Sequence, residues 1–306
     1  MSARILNGNL LRDQILSEVK SEVAALSAAG LRPGLAAVLV GGDPASQIYV
    51  RNKTKACDQV GIFSETITPS ASTSTDEMLH LVADLNRRDD IDGILVQLPL
   101  PSQVDAARVL LAVSPKKDVD GFHPVSLGSL VTKRPGLVAC TPAGLIEILK
   151  RSSIPIAGRH AVVIGRSDIV GKPVALLLLH ENATVTICHS RTADLPAIAR
   201  QADILVAAIG RPAFVTREFI KPGATVLDVG INRLTDASEV RRIFAGLPEK
   251  LTQFQSKGTL LVGDVHPKDM VELAGAYTPV PGGVGPLTIA MLMSNTVKAA
   301  RLRRGR

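Results

Sequence analysis

The chain has 306 residues, of which 46% are hydrophobic and 21% are charged, an ordinary balance for a globular protein with a sizeable core. No apolar run approaches the roughly 18 residues of a membrane span. No basic patch interleaved with aromatic residues indicates nucleic-acid binding. The net charge of +7 therefore favours binding of an anionic metabolite. Three widely spaced cysteines, six histidines without metal-ligand spacing and an N-terminus without a signal core predict a cytoplasmic protein with free thiols and no metal site.

Helical patterns and short runs rich in Val, Ile and Leu alternate along the chain. In chain order, the sequence predicts helices over 10–29, 46–60, 75–86, 142–150 and 172–181, and strands over 35–41, 93–98, 160–165, 183–189, 203–210, 224–230 and 259–265, with one more β unit around "ETITP". The strand runs are continuously apolar, as in strands buried on both faces. This pattern predicts βαβ architecture with mostly parallel sheets.

The elements group into two α/β domains with a cleft between them. We expect residues 1–140 with 281–306 to form one domain and residues 141–280 to form a second, Rossmann-like domain. A Pro/Gly-rich segment, "TPVPGGVGP", precedes a last amphipathic helix, and Pro286 suits its first turn. The terminal "RLRRGR" is interpreted as a frayed basic tail.

A glycine-containing turn, "VVIGRSDIVGKP" (162–173), follows a predicted strand and opens a helix. It fails the P-loop template, because five residues separate Gly165 from Gly171 and a proline follows Lys172. It fits the Rossmann template only in context, because Ser167 stands at the second glycine position. An ordinary βα turn therefore remains an alternative.

The next strand runs into "CHSRT", where NAD-binding domains usually carry a carboxylate for the ribose 2′-hydroxyl. No carboxylate is present. Ser190 is a suitable phosphate hydrogen-bond partner, and Arg191 and Arg166 can supply positive charge beside a 2′-phosphate. The segment favours NADP over NAD.

Near the N-terminus, "YVRNK" places Tyr49 and Lys53 four residues apart, on one face of the predicted helix. By itself this spacing is more typical of a solvated helix surface than of a site.

Six segments, in this order, resemble the bifunctional methylenetetrahydrofolate dehydrogenase/methenyltetrahydrofolate cyclohydrolase of the bacterial FolD type. They are "DPASQIYVRNKTKAC", "ILVQLPLP", "KDVDGFHP", "GRSDIVGKP", "NATVTICHSRT" and "TPVPGGVGPLTIAMLMSNT". The resemblance runs from about Leu6 to Thr296. Two departures, Gly42 where an acidic residue is frequent and Leu287 where methionine is common, touch none of the expected chemical residues.

The resemblance implies an NADP-dependent oxidation of 5,10-methylenetetrahydrofolate, followed by hydrolysis of the methenyl product to 10-formyltetrahydrofolate. It implies that Lys53 is the catalytic lysine, that Gln97 orients it, that Asp120 anchors the pterin and that Tyr49 packs on the folate. A lysine whose pKa is lowered by burial beside a cation could shuttle the protons of the second reaction. Tetrahydrofolate derivatives are thus the expected partners, with neither nucleic acid nor membrane.

The same resemblance implies a cofactor site that includes Gly165, Arg166, Ser167, Ser190 and Arg191, as well as Ile231. It also implies a homodimer formed through the nucleotide domain.

Plainer roles remain open, because Gln97 could cap a strand end and Asp120 could begin a turn with Gly121. Lys55, Lys116 and Lys117 are assigned to the solvated surface. The alternative functions are a dehydrogenase without cyclohydrolase activity, with NAD as a possible cofactor, and a non-catalytic binding protein with a relic Rossmann domain.

Overall fold

The computed structural model describes residues 3–305, without the side chains of residues 44 and 45. The strands are β1 (Arg4–Ile5), β2 (Gly34–Val38), β3 (Phe63–Ile67), β4 (Gly93–Val96), β5 (His160–Ile164), β6 (Thr184–Cys188), β7 (Ile204–Ala207), β8 (Thr225–Asp228), β9 (Asn232–Leu234), β10 (Leu260–Val262) and β11 (Ala276–Tyr277). The helices are α1 (Gly8–Ala28), α2 (Pro44–Val60), α3 (Thr75–Arg87), α4 (Ala106–Ala112), α5 (Pro124–Val131), α6 (Cys140–Arg151), α7 (Gly171–His180), α8 (Leu195–Ala199), α9 (Ala237–Ile243), α10 (Pro248–Lys257), α11 (Pro267–Leu273) and α12 (Val284–Arg304).

The chain divides into two compact units, each built from two separate stretches of sequence. The six-stranded unit comprises the chain up to Leu11 together with Thr141–Leu287. The three-stranded unit comprises Arg12–Cys140 together with the chain from Thr288 onwards. The N-terminal residues group with the six-stranded unit because β1 pairs with β11, with Arg4 opposite Ala276.

The six-stranded unit contains a wholly parallel sheet with the strand order β1-β11-β8-β7-β5-β6. Strands β7 and β8 are buried along their whole length, which explains the continuously apolar sequence of β7, while β8 also buries Thr225 and Asp228 at its two ends. Because β5 lies between β6 and β7, the strand order reverses there. The carboxyl ends of β5 and β7 therefore form the switch point at which open α/β sheets bind ligands.

The three-stranded unit contains a parallel sheet with the strand order β3-β2-β4. Helix α3 begins with a capping box, in which Ser74 and Glu77 satisfy each other's backbone N–H groups. Helix α2 begins at the Asp43 cap and ends at Gly61, whose φ of +87° is the left-handed conformation that glycine adopts at helix ends. The two parallel sheets confirm the predicted α/β class.

One predicted strand lies outside the parallel sheets. The run over 259–265 forms β10, but β10 pairs antiparallel with β9 in a sheet of two strands. Short α4, α5, α8, α9, α10 and α11 were not predicted, because few residues in each carry a helical period.

Two surface predictions are wrong. Lys117 is only 2% exposed, and its Nζ donates hydrogen bonds to the carbonyl oxygens of Leu85 and Arg88 at the end of α3 (2.9 and 2.5 Å). Its two companions Lys55 and Lys116 are exposed, as expected.

The second wrong prediction is the frayed basic tail, because α12 continues through this segment to Arg304. Arg306 lies outside the described residues. Arg303 and Arg304 both donate to the carboxylate of Asp92, which is 0% exposed and also accepts a bond from Gly34 N. A buried carboxylate needs such partners, so the tail closes the three-stranded unit instead of fraying.

Candidate active site and nucleotide pocket

Lys53 and Gln97 meet at the carboxyl end of the three-stranded sheet. Lys53 lies on α2, and its Nζ donates a hydrogen bond of 3.0 Å to Gln97 Oε1. Gln97 follows β4, and its backbone N–H donates to Val38 O of the neighbouring strand. Its side-chain Nε2 donates to Leu98 O at 2.7 Å, which leaves the amide oxygen pointing at the lysine. The end of β4 thus sets the position of the Gln97 amide oxygen, and this oxygen in turn orients the ammonium group of Lys53.

Tyr49 lies one turn before Lys53 on α2, and 47% of its surface is exposed. A half-exposed ring beside a partly buried lysine offers an apolar face for a planar ligand.

The two aspartates of the "DVDG" segment have different surroundings. Asp118 is buried, and its carboxylate accepts hydrogen bonds from Phe122 N, His123 N and Ser126 Oγ, which fastens the start of α5. Among the described residues, no hydrogen bond reaches the carboxylate of Asp120. Asp118 therefore holds the local structure, and Asp120 keeps both oxygens available for a ligand.

The charge of Asp120 is linked to that of Lys53. Burial raises the pKa of Asp120 to about 6, the positive charge of Lys53 acts against this rise, and the negative charge of Asp118 adds to it. Lys53 is therefore the residue that links the other two, through a hydrogen bond to Gln97 and through its charge to Asp120.

The backbone around Asp120 is held by residues that sequence reasoning missed. Asn295 Nδ2 on α12 donates to Val119 O and Val138 O, both at 2.8 Å. At Gly121, where φ is +72°, an added Cβ would lie 2.4 Å from Ala139 N. Only glycine fits so close an approach, and the "DVDG" spacing was the one sequence signal for it.

A second candidate site lies at the switch point of the six-stranded sheet. A cavity of about 330 Å³ is lined by Ile164, Gly165, Arg166, Ser167, His189, Ser190, Leu195, Ala208, Ile209, Arg211 and Phe214. Four predicted cofactor residues, Gly165, Arg166, Ser167 and Ser190, thus lie around one cavity. Arg191 directly follows Ser190 and Ile231 follows β8, but neither is among the residues that line it.

The turn after β5 fits a dinucleotide. Gly165 has a φ of +128°, and an added Cβ would lie 2.2 Å from Ala208 O, so only glycine lets the turn after β5 pack this closely against the backbone after β7. Ser167 Oγ accepts bonds from Val170 N and Gly171 N, which holds the turn that leads into α7. Ser167 therefore has a structural role that the glycine template did not predict.

Two residues of the cavity wall were also missed. His189 Nδ1 accepts a bond from Arg191 N, and the Arg211 guanidinium lies over the ring of Phe214 at 4.1 Å from its centroid. Both follow strand ends, but nothing in their spacing distinguishes them from loop residues.

Two models of one protein family match the chain. The family model described as "Tetrahydrofolate dehydrogenase/cyclohydrolase, catalytic domain" matches residues 6–120, and that for the NAD(P)-binding domain of the same family matches residues 139–304. The chain belongs to the tetrahydrofolate dehydrogenase/cyclohydrolase family. This membership confirms the predicted enzyme class, its folate substrates and its nicotinamide cofactor.

Relatives cover the whole chain. The "Bifunctional protein FolD" of Koribacter versatilis is 66% identical over 305 residues, with 100% of this chain and 99% of the relative covered. The bifunctional FolD crystal structure from Campylobacter jejuni is 40% identical with a TM-score of 0.88, covering 98% and 99% of the two chains. The Trypanosoma brucei dehydrogenase-cyclohydrolase, solved with NADP cofactor and an inhibitor, is 38% identical with a TM-score of 0.87, covering 100% and 99%.

Within residues 3–305, no helix is both long and apolar enough to cross a membrane, and no group of three or more His, Cys, Asp or Glu side chains could hold a metal ion.

Proposed function

We propose that this enzyme oxidises 5,10-methylenetetrahydrofolate with NADP⁺ and then hydrolyses the methenyl product to 10-formyltetrahydrofolate, using Lys53, Gln97, Asp120 and Tyr49 for the folate. The observation that carries the residue assignment is the Lys53–Gln97 hydrogen bond beside a carboxylate that has no hydrogen-bond partner of its own among the described residues.

Asp120 is the group that would orient the substrate. The amino-pyrimidinone edge of the pterin presents adjacent N–H donors, and one ionised carboxylate can accept two of them in parallel. Asp118 cannot do this, because its oxygens already hold α5. Tyr49 would pack against the folate one turn away from Lys53.

Lys53 is the group that would move protons in the hydrolysis. Water adds to the cationic methenyl carbon and loses one proton, which gives a hydroxyl intermediate. As the bond between that carbon and the ring nitrogen breaks, the nitrogen gains a proton and the hydroxyl group loses its own to become the formyl carbonyl, so one proton is released overall. Lys53 Nζ can exchange protons and sits on a flexible side chain, and Gln97 Oε1 directs it, whereas the carboxylate of Asp120 is assigned to the pterin. Gln97 cannot titrate, so orientation is the role left for it.

The six-stranded unit would bind NADP at the cavity after β5, β6 and β7. When bound, the cofactor accepts the hydride from the substrate. Arg166 and Ser190 line the cavity, and no carboxylate does, which suits a 2′-phosphate better than a free ribose hydroxyl. Arg191, beside Ser190, and Ile231, after β8, would complete this site.

We further propose a homodimer in the cytoplasm. Strand β6 is an edge strand, and the apolar side chains of Leu176, Leu179, Val185 and Ile187 line a surface depression beside it, so a second copy could pair and pack there. Cys57, Cys140 and Cys188 are buried free thiols, which is the state of cysteines in a reducing compartment.

The deciding experiment mixes the purified protein with methylenetetrahydrofolate and NADP⁺ and follows NADPH and methenyl absorbance together. We expect NADPH to form with the methenyl species as a transient. Persistent methenyl absorbance would contradict the cyclohydrolase, and a preference for NAD⁺ would contradict the cofactor assignment.

The lysine assignment is tested by Lys53→Ala, with Lys55→Ala as the matched control, because Lys55 is exposed on the same helix. Lys53→Ala should abolish most cyclohydrolase turnover and leave the Kd for NADP⁺ nearly unchanged. Lys55→Ala should leave both unchanged. A Lys53→Ala variant with parental cyclohydrolase turnover would remove the lysine from the mechanism.

A further inference from the structure

Asp264 is a buried carboxylate in the six-stranded unit that the proposed chemistry does not use. It follows β10, is 0% exposed and accepts four hydrogen bonds. Its Oδ2 accepts from Ile209 N and Gly210 N at 2.7 and 3.0 Å. Its Oδ1 accepts from Arg211 N and from Asn232 Nδ2 at 2.9 and 3.0 Å.

These donors come from two different loops. The loop of residues 209–211 follows β7, and its members Ile209 and Arg211 line the cavity at the switch point. The loop of residues 229–232 follows β8 and carries Ile231, which is 48% exposed, beside Asn232. One carboxylate therefore connects the loops at the carboxyl ends of two neighbouring strands.

The second loop packs closely against Asp264. An added Cβ at Gly230 would lie 2.4 Å from both Asp264 N and Asp264 Oδ1, so the second loop runs directly over the carboxylate. The backbone of Asp264 is itself fixed, because its N–H donates to Asp228 Oδ1 at 2.8 Å and its carbonyl oxygen accepts from Val215 N at 2.9 Å.

A carboxylate is chemically suited to this position. It presents only acceptors, and all four partners are donors, three of them backbone N–H groups that turn inward from the loop after β7. Without the carboxylate, these buried donors would have no acceptor and the loop would have to turn them toward solvent.

We propose that Asp264 is a positioning residue for the cofactor, which holds the 209–211 and 229–232 loops in the conformation that accepts NADP. The proposal rests on the assignment of the cavity to NADP. Asp264 does not touch the ligand; it acts through Ile209, Arg211 and Ile231.

The test is Asp264→Asn, which keeps the shape but places an NH₂ group against N–H donors. Loss of one or two such bonds should raise the Kd for NADP⁺ by roughly tenfold to a hundredfold in a direct titration. The KM for NADP⁺ in the dehydrogenase assay should rise in parallel, whereas the KM for methylenetetrahydrofolate should not. The hydrolysis rate of added methenyltetrahydrofolate should be unchanged, because its residues belong to the three-stranded unit.

The matched control is Asp203→Asn. Asp203 precedes β7 in the same sheet, accepts bonds from His160 N and Lys221 Nζ, and lies at the opposite end of the strand. The Asp203→Asn substitution should leave the Kd for NADP⁺ at the parental value. If the parent itself fails to bind NADP⁺, the cavity assignment fails; if the parent binds and Asp264→Asn binds equally well, only the positioning role is overturned.

A second variant keeps the proposal testable if Asp264→Asn does not fold. Asn232→Ala removes one donor and leaves the charge and the three backbone bonds in place. We expect the Kd for NADP⁺ to rise several-fold, by loss of a single hydrogen bond to a charged group. An unchanged Kd would overturn the link to the 229–232 loop.

Discussion

Asp118 and Asp120 are two residues apart, yet the structure gives one of them three hydrogen bonds and leaves the other none among the described residues. The ionised form of Asp120 is therefore energetically unfavourable, and its pKa is raised. Asp120 is partly exposed, so a ligand can reach it, and a carboxylate with a raised pKa and without donors of its own is typical of a functional site.

Asp120→Asn tests the anchor role. The substitution replaces one acceptor oxygen by a donor that faces the pterin's donors, so both activities should fall together, with a loss of several kcal/mol in transition-state stabilisation. The NADP⁺ affinity should be nearly unchanged. Separate titrations of the variant with folate and with NADP⁺ measure the two affinities. An unchanged folate affinity would contradict the anchor role and leave Asp120 a role in the turn alone, since asparagine also suits turns.

The same variant should be more stable than the parent at neutral pH. The folded-state pKa of about 6 lies above the unfolded value of about 4, so the folded protein binds more protons in that window and its stability falls as pH rises through it. Removing the charge should add about 1–3 kcal/mol to the unfolding free energy at pH 7 and nothing near pH 3. Urea unfolding at both pH values measures this, and equal stability of variant and parent at pH 7 would show that the carboxylate is well solvated.

Arg166 and Arg191 are the residues that would read the 2′-phosphate. Replacing both with uncharged residues should weaken NADP⁺ far more than NAD⁺, because a charge-assisted phosphate contact is worth roughly 1.5–3 kcal/mol. Arg166, which lines the cavity, should account for the larger part. Arg159→Gln is the control, since Arg159 is exposed just before β5, at the other end of the sheet. Equal weakening of both cofactors would exclude the arginines from 2′-phosphate recognition.

The last helix, α12, was predicted from its apolar stripe, but the function of its basic end was not. Arg303 and Arg304 are ion-paired with Asp92, far away in sequence, at distances of 2.5 and 2.7 Å. Arg301, by contrast, pairs with Glu22 at 3.0 Å on the surface, where both side chains are 44% exposed.

A chain ending after Leu302 should therefore be much less stable than the full chain. Removal of both arginines leaves a buried, unpaired carboxylate, which costs about 3–5 kcal/mol. Arg301→Gln removes an exposed pair and should cost less than about 1 kcal/mol. Guanidinium unfolding curves compare the three proteins, and a truncated chain as stable as the Arg301→Gln variant would show that the tail is not needed.

Elements with a clear period were predictable from sequence, and contacts between distant elements were not. Strand β5 and helix α7 were located within one residue of their predicted ends, because apolar runs and turn residues are local signals. Strand β1 has two residues and no period, so its pairing with β11 has no local signature. Lys117, Asn295 and Asp264 are polar residues whose burial is decided by partners far away in sequence, and the residue types alone predict a solvated surface for them.

At the scale of the whole molecule, the proposed dimer depends on the edge of the six-stranded sheet at β6. The apolar depression beside β6 contains Leu179 and Ile187, which are 54% and 44% exposed and lie on the helix and the edge strand. Such a surface on an unprotected edge strand is a suitable place for pairing with another chain.

The double substitution Leu179→Lys with Ile187→Lys should convert a dimer into a monomer, because four buried charges cannot be desolvated at a two-fold interface. Ile5→Lys is the control, since Ile5 is 57% exposed on β1 at the opposite edge of the same sheet. Sedimentation velocity gives the masses. A monomeric parent would contradict the dimer, and a double variant that stays dimeric would place the interface elsewhere.

The pairing of β1 with β11 also bears on how the protein can be made. A ribosome releases β1 long before β11, its partner, and it releases residues 12–140 long before the part of the chain from Thr288 onwards that completes the three-stranded unit. Neither unit can therefore close until these later segments have emerged, although domains commonly fold in order from the N-terminus. Until then, the nascent chain keeps apolar strand edges open. Premature termination anywhere before α12 would leave both units incomplete, so we expect such fragments to be substrates for chaperones and proteases.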